Sequence, residues 1–350
     1  MKKTFSMRTW GFRSDNLKSK IQNLKWGGIV AIGVTFTLFG AAAQAQQVKK
    51  VHRIGFISSV SPETYSHLYK AFLQGLRDLG YVEGRNIVIE ARWAEGKTDR
   101  LPELAAELVR LKVDLIVSTG GTVTALAVKK AITTIPVVFT AGGDLIKVGL
   151  IAGLARPGGN LTGLSLLTVE LGTKRLELLK ETFPKVRRVA VLGNPANAAY
   201  ATQVSEAQSA AKVLGLQLQI LEAPGPEDFE SAFAAMTRER AAALLISTDA
   251  MFNAQRQPMV ELAAKSRIPA IYEFKEFVEA GGLMSYGTNI VNVYRRVAVY
   301  VDKVLKGAKP GELPVEQPTN FEFFINLKTA KQIGVTIPPN VLARADRVIR

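Results

Sequence analysis

The sequence has no cysteine and only two histidines, His52 and His67, among its 350 residues. Without cysteine, disulfides, thiolate metal sites, a cysteine nucleophile and a lipid-modified amino-terminal cysteine are excluded. Neither histidine follows a predicted strand, so a Ser-His-Asp site has no evident base. No cluster of His, Asp and Glu has the spacing of metal ligands. The sequence therefore predicts no catalytic residue, no metal and no cofactor.

Nucleotide-binding and hydrolase motifs are absent as well. There is no GxxxxGK[ST] loop, no GxGxxG after the first strand and no GxSxG elbow. The chain does contain STGG (118–121), where an apolar run breaks into glycines just before a helix-forming segment. Such a turn holds anions on backbone N–H groups. Because no lysine accompanies it, a nucleotide phosphate is a poor candidate for that anion.

The amino terminus has the pattern of an export signal. Basic residues precede an uncharged stretch at 26–48, with an apolar core at 29–39 followed by Ala43 and Ala45 in an A-x-A pattern. We predict that residues 1–45 are a signal peptide cleaved near Ala45, leaving a free periplasmic protein rather than a lipoprotein. The alternative is an uncleaved anchor, but a membrane span needs about 20 apolar residues.

Charge gives no sign of a nucleic-acid partner. The formal net charge of +15 falls to +9 when the seven basic residues and one acid before residue 46 are removed. The remaining basic residues are scattered and are not interleaved with aromatic side chains. A nucleic-acid surface would show clustered Lys and Arg. The sequence therefore predicts a solvated basic surface and no nucleic acid.

The rest of the chain alternates between apolar strands and amphipathic helices. Eleven strands are predicted, at 53–58, 86–92, 113–118, 135–140, 161–166, 187–193, 216–221, 242–247, 268–272, 283–286 and 321–326. Short apolar strands separated by helices indicate parallel sheets covered on both faces. LIVST (115–119) and LLIST (244–248) each precede a helix and then a second strand, so the pattern is duplicated. We predict an α/β protein with two doubly wound lobes.

A long tail after the second lobe indicates that the chain passes between the lobes three times. Pro/Gly punctuation places these crossings near 158–163, 286–289 and 317–321. The first lobe is then predicted to hold 51–160 and 288–318, and the second lobe 161–287 and 319–350.

Candidate ligand-binding residues follow from these strands, because parallel sheets bind ligands beyond their carboxyl ends. In the first lobe the candidates are Ser58, Ser59, Thr119, Gly120, Gly121, Thr122 and Thr140. In the second lobe they are Asn194, Thr248, Asp249, Tyr272, Glu273 and Tyr286. The STGG turn suits a carboxylate, Asp249 or Glu273 suits an ammonium group, and Tyr65, Tyr272 and Tyr286 suit an apolar side chain. Asp249 is expected to face the STGG turn, and Asp144 is expected to be a helix cap.

Four segments resemble the ABC-transporter substrate-binding proteins of the tryptophan-type family. They are TAGGDLIKVGLIAGLARPGGNLTGLS (140–165), VLGNPAN (191–197), IPAIYEFKEFVEAGGLMSYG (268–287) and NLKTAKQIGVTIPPNVLARADRVI (326–349). The resemblance implies the type 1 periplasmic-binding fold, with a three-crossing hinge and a ligand enclosed between lobes. Six candidates match the family by position: Ser59, Thr119, Thr140, Asn194, Asp249 and Tyr286. No arginine is predicted in the cleft, which leaves the ligand's anion to hydroxyls and backbone.

The resulting hypothesis is a monomeric solute-binding protein that delivers a small carboxylate-bearing solute to an inner-membrane ABC permease with its ATPase. An aromatic amino acid is one candidate for the solute. Two alternatives stay open at this point: a periplasmic ligand sensor for a receptor kinase and a degenerate α/β enzyme.

Overall fold

The computed structural model describes residues 51–350, and the predicted signal peptide lies outside these residues. The described chain contains two β-sheets. Their strands are β1 (His52–Ser58), β2 (Ile87–Trp93), β3 (Leu115–Thr119), β4 (Val137–Ala141), β5 (Leu161–Ser165), β6 (Arg188–Gly193), β7 (Gln217–Glu222), β8 (Ala243–Ile246), β9 (Ala270–Tyr272), β10 (Met284–Thr288), β11 (Phe321–Asn326) and β12 (Arg347–Ile349).

Helices cover both sheets. They are α1 (Ser66–Asp78), α2 (Leu101–Arg110), α3 (Thr122–Ala131), α4 (Thr168–Thr182), α5 (Tyr200–Leu214), α6 (Phe229–Arg238), α7 (Ala250–Ala254), α8 (Arg256–Lys265), α9 (Lys275–Glu279), α10 (Ile290–Leu305), α11 (Leu327–Ile333) and α12 (Pro339–Leu342). In α1 the buried residues Leu68, Phe72 and Leu76 recur at helical spacing and face the core. Within residues 51–350, no helix is both long and apolar enough to cross a membrane.

The first lobe is built on a parallel five-stranded sheet in the order β2-β1-β3-β4-β5. Strands β3 and β4 are buried along their whole length, because helices pack on both faces of the sheet. One boundary of the predicted division was wrong. Residues 161–165, assigned to the second lobe, form β5 and pair with β4 in the first sheet. The glycines of PGGN precede this edge strand and do not mark the change of lobe.

The second lobe has a seven-stranded sheet in the order β12-β11-β10-β9-β8-β6-β7. The strand–helix alternation predicted a wholly parallel sheet, and this prediction was wrong for one strand. β11 runs antiparallel to β10, with Thr288 opposite Phe321. The chain leaves this sheet at the carboxyl end of β10 and re-enters it beside that end. β11 therefore runs in the direction opposite to β10. The short edge strand β12 was not predicted.

The three passages between the sheets can be placed by their contacts. The chain leaves β5 and enters the second lobe through Leu166 and Leu167, a few residues after the predicted 158–163. It returns after β10, and α10 packs against α1 of the first lobe. Glu316 still pairs with β5 through two backbone hydrogen bonds, of 2.9 and 3.0 Å. The last passage therefore lies between Glu316 and β11.

Candidate functional site

A cavity opens where the carboxyl ends of the two sheets meet. It encloses about 490 Å³ of atom-free space, including the part open to solvent. Both lobes contribute to its walls. Of the residues predicted to contact the ligand, eight line the cavity: Tyr65, Gly120, Gly121, Thr122, Thr140, Thr248, Asp249 and Glu273.

The STGG turn forms the first-lobe wall. Gly120 and Gly121 have φ angles of 82° and 97°, a left-handed conformation that disfavours other residues. Gly121 precedes the first residue of α3, and no described side chain caps this helix start. The Thr122 hydroxyl is held elsewhere, because it donates to the Gly142 carbonyl at 2.6 Å. The backbone N–H groups that open α3 are therefore available for an anionic group.

Asp249 forms part of the second-lobe wall. Its Oδ1 accepts from the backbone N–H groups of Met251 at 2.9 Å and Phe252 at 3.3 Å, so the residue caps α7. Asn194 Nδ2 also donates to Oδ1 at 3.2 Å, and Asn197 Nδ2 donates to Oδ2 at 2.8 Å. Burial raises the pKa of Asp249, and these four donors oppose that rise. No Lys or Arg among residues 51–350 forms an ion pair with it, so a cation at this carboxylate would come from a ligand.

A second carboxylate, Glu273, lies in the same wall and is 5 % exposed. Burial raises its pKa to about 7, while the charge of Arg175 and a hydrogen bond from Thr248 lower it. Arg175 belongs to α4 and is 1 % exposed. The prediction that the cleft lacks an arginine was therefore incomplete, because Arg175 lies buried directly behind the cavity wall.

The remaining walls are largely apolar, and most of them were not predicted. Tyr65 was predicted from the sequence and lines the cavity, but the other apolar residues were missed: Leu166, Ala199, Ala250, Phe274, Ile290 and Tyr294. Tyr65 and Tyr294 pack edge to face with ring centroids 6.3 Å apart. Tyr294 comes from α10, which reaches the cavity only because the chain returns to the first lobe. These side chains can enclose the apolar part of a ligand.

Polar cavity residues were also missed, namely Thr168, Asn197 and Gln203. Thr168 is the first residue of α4, and its Oγ1 accepts from Gly143 N at 2.7 Å. The Nδ2 of Asn197 donates to the Thr248 carbonyl at 3.1 Å as well as to Asp249. The motif NPAN (194–197) did signal a turn here. Its second asparagine, rather than its first, reaches the cavity.

The lobes touch each other around the cavity. A Cβ atom built on Gly121 would lie 3.8 Å from Ala250 Cβ, and one built on Gly143 would lie 2.5 Å from Ala199 Cβ. Asn253 Nδ2 donates to the Tyr65 hydroxyl at 3.4 Å. The STGG turn thus faces the segment that begins with Asp249, as the duplicated pattern predicts.

Four predicted residues lie behind the cavity rather than in its wall. Ser58 and Ser59 follow the central strand β1, and Ser59 Oγ donates to the Gly120 carbonyl at 2.7 Å. Thr119 is fully buried beside the Tyr294 hydroxyl. Asn194 holds Asp249. These residues fix the STGG turn and the Asp249 carboxylate from the side opposite the cavity.

Tyr272 and Tyr286 were predicted to wall the ligand, and the structure places both elsewhere. Tyr272 ends β9 next to Glu273, and successive side chains of a strand point to opposite faces. Its ring stacks on Phe277 with centroids 4.7 Å apart. Tyr286 pairs with Phe323 across β10 and β11, where it packs against Phe321 and Phe323. Both tyrosines contribute to the second-lobe core.

The arrangement is suited to binding rather than to catalysis. It offers hydrogen-bond donors on the first lobe, carboxylates on the second lobe and apolar walls between them. Within residues 51–350, no group of three or more His, Asp and Glu side chains is placed to hold a metal ion. The polar groups converge from two lobes on one enclosed volume, which allows a charged ligand to be held at both ends.

Comparison with known proteins gives the family. A family model described as ABC transporter substrate binding protein matches residues 53–349. The tyrosine-binding protein of Clostridioides difficile is 27% identical over 288 residues, which are 82% of each chain.

Two solved structures have the same fold. The conserved domain protein from Vibrio cholerae is 30% identical with a TM-score of 0.80, covering 85% of this chain and all of that one. The ABC domain in complex with L-Trp from Streptococcus pneumonia is 29% identical with a TM-score of 0.77 and the same coverage. The two-lobed type 1 periplasmic-binding fold and the family resemblance are thus confirmed. The chain belongs to the family of ABC transporter substrate-binding proteins, which bind ligands and are not enzymes.

Proposed function

We propose that this protein captures a neutral amino acid with an apolar, preferably aromatic, side chain and delivers it to the permease of an ABC importer. One observation carries the proposal: the uncapped start of α3 lies across a single cavity from Asp249 and Glu273. A zwitterion needs an anion-binding group and a cation-binding group in the same cavity. The apolar walls then receive its side chain.

The relatives support the same ligand class. One is named for tyrosine, and another was solved with L-Trp. In this chain, Tyr65, Phe274 and Tyr294 supply aromatic surface in the cavity. Aromatic side chains gain from such contacts beyond the burial of their area.

The proposed mechanism is closure of the lobes around the ligand. The carboxylate contacts the first lobe at the STGG turn, and the ammonium group contacts the second lobe at Asp249. Only the closed arrangement satisfies both ends, so binding shifts the population toward that arrangement. The permease and its ATPase would recognise the closed form of the monomer.

A matched ligand series tests the proposal. L-Tryptophan should bind with a Kd in the micromolar range or tighter by isothermal titration calorimetry. Tryptamine lacks the carboxylate and indole-3-propionate lacks the ammonium group, so each should bind at least tenfold more weakly, because a buried charged partner is left unpaired. Mass spectrometry of ligand released from freshly purified protein provides the control. Release of a sugar, or equal affinity for all three compounds, would refute an amino acid ligand.

Export is the second part of the proposal. It is supported by the apolar core at 29–39, which is followed by Ala43 and Ala45. These residues lie outside the described part of the chain. Amino-terminal sequencing of the periplasmic fraction should give a chain that begins at or near Gln46. A full-length chain retained in the membrane fraction would indicate an anchor instead.

A further inference from the structure

Arg175 is a buried cation for which the family assignment gives no role. It belongs to α4, and its side chain reaches Thr248, which follows β8 of the second sheet. Nη2 donates to the Thr168 carbonyl and to Thr248 Oγ1, both at 3.2 Å. Within residues 51–350, Nε and Nη1 have no hydrogen-bond partner and no carboxylate lies within 4.0 Å of the guanidinium. A charge this buried is costly unless another group compensates it.

Both acceptors of Arg175 belong to the cavity wall. Thr168 and Thr248 line the cavity together with Glu273. The Thr248 hydroxyl acts on Glu273 as a donor that lowers the pKa of its carboxyl. Because Thr248 Oγ1 accepts from Arg175, its own proton is left to donate to Glu273. The guanidinium, the hydroxyl and the carboxylate thus form a chain that ends in the cavity.

We propose that Arg175 is a positioning residue for ligand binding: bound to Thr248 behind the cavity wall, it supplies the positive charge that stabilises the Glu273 carboxylate as the partner of the ligand's ammonium group. The inference rests on the proposed function, because it assigns a partner to the same ammonium group. Beyond the proposed function, it states that binding depends on the buried guanidinium of Arg175, which does not contact the ligand. Asp249, held by asparagines and backbone, does not depend on this chain.

The charges around Glu273 agree with this role. Asp249 and Glu276 raise its pKa, and burial raises it most, whereas Arg175 and the Thr248 hydrogen bond lower it. Tyr65 also faces this carboxylate. With the pKa at about 7, a proton competes with the ammonium group at lower pH. Affinity should therefore fall as the pH drops below about 7 and level off above it.

Variants of Arg175 test the proposal. Arg175→Met removes the charge at similar length and should raise the pKa of Glu273 further, whereas Arg175→Lys keeps the charge. At pH 7 calorimetry with L-tryptophan should show affinity reduced about fivefold in Arg175→Met and largely restored in Arg175→Lys. The deficit of Arg175→Met should shrink as the pH rises toward 9. A deficit that stays constant with pH would overturn the proposal.

A measurement without ligand separates this inference from the proposed function. The ¹³C NMR titration of the Glu273 carboxyl, assigned by its loss in Glu273→Gln, should move to higher pH in Arg175→Met by about one unit or more. An unchanged titration in folded Arg175→Met would overturn the proposal. Failure of L-tryptophan to bind the native protein would count against the proposed ligand, while the titration would still decide the role of Arg175.

A second pair of variants covers the case in which Arg175→Met does not fold. Thr248→Val removes the bridging hydroxyl and leaves the arginine in place, and Thr248→Ser retains the hydroxyl. Thr248→Val should raise the pKa of Glu273 and weaken L-tryptophan binding at pH 7, in the same direction as Arg175→Met but by less. Thr248→Ser should match the native protein. Identical titrations for all three proteins would overturn the proposed chain.

Discussion

Asp249→Asn should lower the affinity for L-tryptophan at least tenfold. Asp249 accepts four N–H donors but has no cationic partner among residues 51–350, so the ligand's ammonium group becomes its counterion. Truncating one member of a buried charged pair costs about 2–5 kcal/mol, and about 1.4 kcal/mol corresponds to tenfold. Isothermal titration calorimetry at pH 8 measures the loss.

A matched variant separates this charge from its capping role. Asp144 precedes a turn rather than the predicted helix, but its Oδ1 accepts from the backbone N–H groups two and three residues later, at 3.1 and 3.0 Å, as Oδ1 of Asp249 does. Asp144 is exposed and does not line the cavity. Because asparagine caps about as well as aspartate, Asp144→Asn should leave affinity unchanged. If Asp249→Asn behaves in the same way, Asp249 is a cap and the ammonium site lies elsewhere.

Ala199→Leu should weaken L-tryptophan binding by roughly fivefold to a hundredfold. Ala199 is 1 % exposed and approaches Gly143 across the cavity so closely that Gly143 has no room for a Cβ. A leucine at position 199 overpacks this contact, at a cost of about 1–3 kcal/mol. The cost applies to the closed arrangement only, so the binding-competent fraction falls in proportion. Calorimetry measures the affinity, and small-angle X-ray scattering measures closure on addition of ligand.

The control for Ala199→Leu lies two residues further along. Ala201 is in α5 and exposed, so Ala201→Leu adds the same atoms without touching the first lobe. It should bind and close as the native protein does. The melting temperature of ligand-free Ala199→Leu should stay close to that of the native protein, because each lobe folds without the contact. Native affinity in Ala199→Leu would show that closure does not bring these residues together.

Strand positions were predictable because short apolar runs between helices have one stable arrangement, a parallel sheet covered on both faces. FEFFIN was predicted at 321–326 and β11 spans the same residues. Its antiparallel direction was not predictable, because direction depends on where the chain re-enters the sheet. Residues 161–165 were assigned to the wrong sheet for a similar reason. An edge strand has the same local sequence pattern in either sheet, so its sheet depends on the path of the chain.

Some residues of the candidate site were predictable from the sequence, and others were fixed only by tertiary packing. The sequence by itself determined the STGG turn and Asp249, because glycines and a capping carboxylate at strand ends have local causes: left-handed backbone and unsatisfied helix N–H groups. Tertiary structure alone decided that Tyr272 and Tyr286 pack into the core and that Tyr294 lines the cavity. Arg175 was missed because a basic residue in an amphipathic helix has the pattern of an exposed one. Its burial depends on how α4 packs against the ends of the second sheet, a contact between segments distant in the chain.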